Sequence, residues 1–126
     1  MIVTSIPEHF DTVIWMKNPF KPLFYSEDKK STNERCNKLA DFIESHSGIF
    51  PLCSLTNLNS IEELRNSTLD GNLDNIGFAL HPIFKKLVFL AFWVDASWFC
   101  DNSIKVKNIE EFITQAKYVK EHGTVY

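Results

Sequence analysis

The sequence predicts an α+β fold, an antiparallel β-sheet with two longer helices and one short helix packed against it, in a single domain over residues 1–126. Three observations carry that prediction. Ile76–His81 and Leu87–Val94 are apolar runs joined by the short link "HPIFKK", the pattern of an antiparallel hairpin. Cys36, Leu39, Ala40 and Ile43 recur at helical spacing, and so do Ile109, Phe112, Ile113, Ala116 and Val119. "SIKVK" alternates polar and apolar residues and adds a further strand.

From the N-terminus, "DTVIWMK" (Asp11 to Lys17) is rich in β-branched and aromatic residues and reads as a strand. Pro19 and Pro22 then hold the chain extended, and "LFYS" reads as a short further strand. Ser31 to Glu34 matches a capping box ahead of the first helix, which Gly48 closes after His46. "IFPLCSL" is expected to be extended but irregular, because Pro51 interrupts it.

Ser60 to Glu63 repeats the capping box and predicts a short helix over 61–66. Asp70–Gly71 marks a turn. Leu87–Val94 is apolar at every position, as expected of a central strand covered on both faces. "SIKVK" alternates, as a strand with one wet face does. Asn108 caps the last helix, Glu111 stands in its first turn, and Gly123 ends it.

Composition bounds the function. With 44% hydrophobic residues, eleven Phe and four Gly, the chain has material for a core dominated by aromatic rings. The net charge is −3 and the pI about 5.8, which argues against direct nucleic-acid binding. Three scattered cysteines, with no CxxC, imply no disulfide framework and a cytoplasmic location. The first residues lack the basic n-region of a signal peptide. The longest apolar run, eight residues, falls short of the roughly 20 that cross a membrane, so no membrane association is expected.

Chemistry-bearing patterns are few. His9, His46, His81 and His122 stand apart from one another and from the cysteines, so no metal is expected. The four glycines form no phosphate loop, and no G-x-S-x-G occurs, so no cofactor and no nucleotide site are expected. Cys36 lies on an apolar helix face; Cys100, beside Trp98 and Phe99, reads as the more open thiol. Asp95 follows an apolar strand. Burial there would suit it to general acid work, but an aspartate in that place more often starts a turn through its own hydrogen bonds.

The charge is clustered instead. Glu62, Glu63, Asp70 and Asp74 face only Arg65 between Ile61 and Phe84, and Asp95 and Asp101 flank Trp98 in "DASWFCDN". A tryptophan with flanking carboxylates is the makeup of an interface anchor for a basic partner. These seven residues, Asp95, Trp98, Asp101, Glu62, Glu63, Asp70 and Asp74, are the predicted partner-binding set, and no catalytic residue is assigned.

A small, acidic, cysteine-poor, Asn-rich α+β domain of this kind resembles, in overall type, the immunity proteins of bacterial toxin systems such as contact-dependent growth inhibition. The resemblance implies a non-enzymatic inhibitor that binds one cognate toxin domain, and it transfers no residue role; the absence of clustered ligands and of a disulfide pattern predicts a monomer or weak dimer. A nuclease-like toxin is basic because it holds phosphates, and acidic clusters would speed its capture. The alternatives are a small cytosolic enzyme using Asp95 or His81 in a cleft, and a non-catalytic subunit of a larger, phage-encoded assembly.

Overall fold

The computed structural model describes residues 9–20, 29–55, 58–67 and 73–123, the side chains of 29–32 excepted. The elements run β1 (Phe10–Lys17), α1 (Lys29–Ser45), β2 (Leu52–Leu55), α2 (Ile61–Arg65), β3 (Asn75–Leu80), β4 (Leu87–Phe92), a 3₁₀ turn (Ala96–Trp98), β5 (Cys100–Lys105) and α3 (Ile109–His122). The α+β arrangement is as the sequence predicts. The strands form one sheet in the order β2-β4-β3-β1-β5. Its three inner strands are antiparallel, with Val13 opposite Ala79 and Phe78 opposite Phe89. Both edge strands depart from the antiparallel expectation: β2 joins β4 in parallel and β5 joins β1 in parallel.

The helices lie on one face. Ile14, Met16, Ile76, Phe78, Phe89 and Ala91 point to it and meet Cys36, Leu39, Ala40 and Ile43 of α1, Leu64 of α2, and Phe112, Ala116 and Val119 of α3. Phe112 is fully buried at the centre, with its ring centroid 5.1 Å from that of Phe78, 5.9 Å from Phe50 and 6.4 Å from Phe89. α3 follows the sequence signals: the Asn108 side chain accepts from the Glu111 N–H at 2.9 Å, and Gly123 takes the left-handed conformation that closes the helix. α2 is capped in the same way by Ser60. Arg65 turns towards α1, its guanidinium 2.8 Å from Asp41 and 3.2 Å from Glu44, while Asn33 donates to the Arg65 carbonyl. The one cation of the Glu62–Asp74 stretch is therefore used to hold two helices together.

Four local expectations are corrected. α1 begins at Lys29, so Ser31 and Glu34 lie inside the helix and do not box its start; two lysines, good helix formers, extend it N-terminally. "IFPLCSL" contains a regular strand, because Pro51 falls just ahead of its first residue, where a missing N–H costs no ladder bond. β4 stops at Phe92, two residues early. β5 is wet on both faces, with 101–105 all exposed, because it is an edge strand. The "LFYS" strand and the Asp70–Gly71 turn lie outside the described residues.

The second face is covered differently. β4 and β5 point the same way yet are separated by β3 and β1, so the link 93–99 must cross a face of the sheet. Ala96, fully buried, and Phe99 place it over Val13, Trp15, Ala79, Val88, Leu90 and Phe92. Space beneath is tight. A Cβ on Gly77 would come within 3.0 Å of the Ile14 carbonyl oxygen and 3.2 Å of the Trp15 Cβ. The link behaves as a strap, anchored by Asn75, whose side-chain amide donates to the Val94 carbonyl at 3.1 Å. No helix among the described residues is long and apolar enough to cross a membrane.

Candidate functional site

The strap carries the sharpest sequence candidates. Asp95 begins its 3₁₀ turn: the Oδ1 accepts from the Ser97 N–H at 2.9 Å, and its carbonyl accepts from the Trp98 N–H. This is the turn-forming aspartate, exposed to solvent and not sunk at a strand end. With Ala96 tucked inward, the short helical turn throws Trp98 outward, and 80% of it is accessible. Phe99 folds back edge-on to Phe92 at 5.1 Å, half-buried.

Cys100 corrects another expectation. It is buried, its thiol donating to the Ala96 carbonyl at 2.9 Å. Burial pushes the thiol pKa up, and the Asp101 and Asp95 carboxylates push it further. A thiol held protonated in this way is a poor nucleophile. Asp95 precedes the 3₁₀ turn and Asp101 follows it as the second residue of β5. Asp101 is exposed and receives His9 Nε2 on its Oδ1 at 2.6 Å.

The remaining acidic residues sit elsewhere. Glu62 and Glu63 are on α2, on the helix face, and the Glu63 carboxylate accepts from the Asn59 N–H. Asp74 precedes β3, where its carbonyl accepts from the Asn18 N–H. Asp70 lies outside the described residues. Strap and α2 occupy opposite faces of the sheet, so the predicted set divides in two, with Asp95, Trp98 and Asp101 as its coherent half.

Sequence reasoning missed three exposed apolar residues. Trp93, read as part of the core strand, is 55% accessible because β4 has already ended. Ile83 and Phe84, read only as a hairpin link, stand at 78% and 56%. His81 shapes that link. Its Nδ1 accepts from the Ile83 and Phe84 N–H groups, both at 3.1 Å, and its ring stacks on Phe84. Held in this way, His81 is a turn residue with one ring nitrogen committed. It lines a shallow groove of about 390 Å³ with Asp11, Thr12, Leu80, Pro82, Lys85 and Gly123.

Register brings the hairpin tip and the strap's end together. Phe10 is level with Cys100 on one side, and the β1–β3 pairing, continued outward, sets it level with Pro82 on the other. Ile83, Phe84 and Trp98 therefore crown the same end of the sheet, with β3 and β5 about 10 Å apart across β1. Lys85 and Lys86 flank the tip, and Asp11, Asp101 and His9 stand nearby along β1 and β5. Trp93 leaves from the opposite end. Ile83, Phe84 and Trp98 are the large apolar side chains left exposed at this end.

Among the described residues, no group of three or more His, Cys, Asp or Glu side chains is arranged to hold a metal ion. No known protein family, curated protein or solved structure matches the chain.

Cys53 offers a test of the core beneath this surface. Burial pushes its pKa up to about 12 from 9.0. A thiol raised in the folded state keeps its full stabilising contribution below the unfolded pKa and loses it as the pH climbs through the folded one. Stability should therefore fall between pH 9 and about 12, by up to roughly 1.4 kcal/mol per pH unit from this thiol. Urea unfolding at stepped pH should show that slope, and Cys53→Ala should flatten it.

Proposed function

We propose that this protein is a non-catalytic binding protein that captures a basic protein partner through the strap end of its sheet, in the manner of an immunity protein that neutralises a cognate toxin domain in the cytoplasm. The observation that carries the reading is Trp98. A tryptophan left 80% accessible on a turn that is itself pinned by a buried Ala96 is a rigid anchor already in place. Asp95 and Asp101 beside it supply the charge that draws in a basic surface. The candidate general acids and nucleophiles have other uses: Asp95 caps a turn, His81 caps a hairpin, and Cys100 is buried as a protonated thiol.

Recovery of a basic protein with the tagged chain from its native host supplies the partner. With it in hand, the Asp95→Asn, Asp101→Asn double variant is expected to associate more slowly at low salt, with a weaker salt dependence and an unchanged fold. Asparagine caps as well as aspartate, so the turn survives. Equal association rates for the two proteins at low salt would sink the proposal for this face and turn attention to Glu62, Glu63 and Asp74.

A further inference from the structure

The link between β3 and β4 is closed by a histidine ring. His81 is buried, and its Nδ1 accepts from the Ile83 N–H and the Phe84 N–H, both at 3.1 Å. The ring lies stacked on that of Phe84, with centroids 4.4 Å apart. Two main-chain bonds complete the closure. The His81 N–H donates to the Lys86 carbonyl and the Lys85 N–H to the His81 carbonyl, both at 2.9 Å. Lys85 takes a φ of 57°, the left-handed conformation that a side chain disfavours. The loop therefore holds one unfavourable backbone conformation, offset by contacts that converge on His81.

The arrangement is that of an asparagine turn ahead of proline, with Nδ1 in the place of the amide oxygen. The difference is chemical. An amide oxygen accepts at every pH, whereas Nδ1 accepts only while it carries no proton. The closed loop thus requires a neutral ring with its proton on Nε2. Protonation makes Nδ1 a donor that faces two donors at hydrogen-bond distance, and both bonds are lost. The closed form binds one proton fewer than the open form, so closure is favoured as the pH rises and lost as it falls.

Asp11 of β1 and Lys85 of the loop are the charged residues that line the groove with His81, and the end of α3 contributes Gly123. Asp11 favours a charged ring, while Lys85 and the adjacent Lys86 oppose it. All three are exposed, so water screens them, whereas the two N–H groups meet Nδ1 directly. His9 is bonded to Asp101 instead, and His122 to the Tyr118 carbonyl.

We propose that the β3–β4 tip is a pH-sensitive latch, closed while His81 is neutral and released when its ring is protonated. Ile83 and Phe84 are then held in one presentation at neutral pH and set free in acid. The inference does not rest on the proposed function, since neither Trp98 nor the strap takes part.

Nuclear magnetic resonance on the protein alone tests it. At about pH 7.5 the ring nitrogens of His81 should show Nε2 protonated and Nδ1 bare. On acidification to about pH 5, protection of the Ile83 and Phe84 amides against exchange, corrected for its intrinsic pH dependence, should fall about tenfold or more, in step with protonation of His81 itself. The Phe78 amide, in the middle of β3, should keep its protection and so report an intact sheet. His81→Asn supplies an acceptor that cannot titrate, and its tip should stay closed over the same range. Should that variant fold poorly, the wild-type titration alone decides. Four results would overturn the inference. They are a proton on Nδ1 at the higher pH, a ring still neutral at the lower one, Ile83 and Phe84 amides that stay protected after His81 is protonated, and a folded His81→Asn variant whose tip opens in acid as the wild type does.

Discussion

Phe112→Ala is expected to destabilise the protein by about 3–5 kcal/mol, the range for deleting a buried phenylalanine. Phe112 is fully buried and is ringed by Phe42, Phe50, Phe78 and Phe89, two of them edge-on in the favourable aromatic geometry. These neighbours come from α1, the α1–β2 link, β3 and β4, so no single element can relax to fill the hole. A domain of this size holds roughly 5–15 kcal/mol in total, which puts the variant near the edge of folding at 37 °C. Urea unfolding should show a lower midpoint at an unchanged slope. A loss below about 1 kcal/mol would mean that α3 does not dock on the sheet by this face.

The second large effect is on binding and should leave the fold alone. Trp98→Ala removes a side chain that makes little contact with its own chain, so stability should change by less than about 0.5 kcal/mol. If Trp98 anchors the partner, the complex should weaken by about 2 kcal/mol or more, roughly thirtyfold. Most of that should appear as faster dissociation, because the orientation of encounter is set by charge and not by the ring. Surface plasmon resonance separates the two rates. A variant that binds as tightly as wild type would move the anchor to Ile83 and Phe84 at the same end of the sheet, where the corresponding alanine variants carry the same test.

These two aromatic residues show how unevenly the site was legible. Phe112 could be assigned from spacing alone, because an amphipathic helix repeats its buried face every three or four residues and the Asn108 and Gly123 signals bound it. Trp98 could be singled out by its neighbours, but its exposure could not be read, since a tryptophan after an apolar run is as often core as surface. Exposure followed from Ala96 turning inward. Trp93, Ile83 and Phe84 lacked even that signal: in the sequence they merge with the apolar runs on either side. Cys100 failed in the other direction, since polar neighbours suggested an open thiol where the strap buries it.

Local pattern by itself determined the α+β class, the β3–β4 hairpin, the two capped helices α2 and α3, and the buried faces of α1 and α3. Each of these is a matter of periodicity or of hydrogen bonds between residues a few positions apart. Only the tertiary structure decided that both edge strands run parallel to their neighbours, that residues 93–99 strap the second face, and that the acidic residues divide between opposite faces. It also decided that β5 lies at the edge of the sheet with residues 101–105 exposed. Those features depend on which strand lies beside which. The choice is made by contacts between residues distant in the chain, where burial of the whole apolar surface outweighs any local preference.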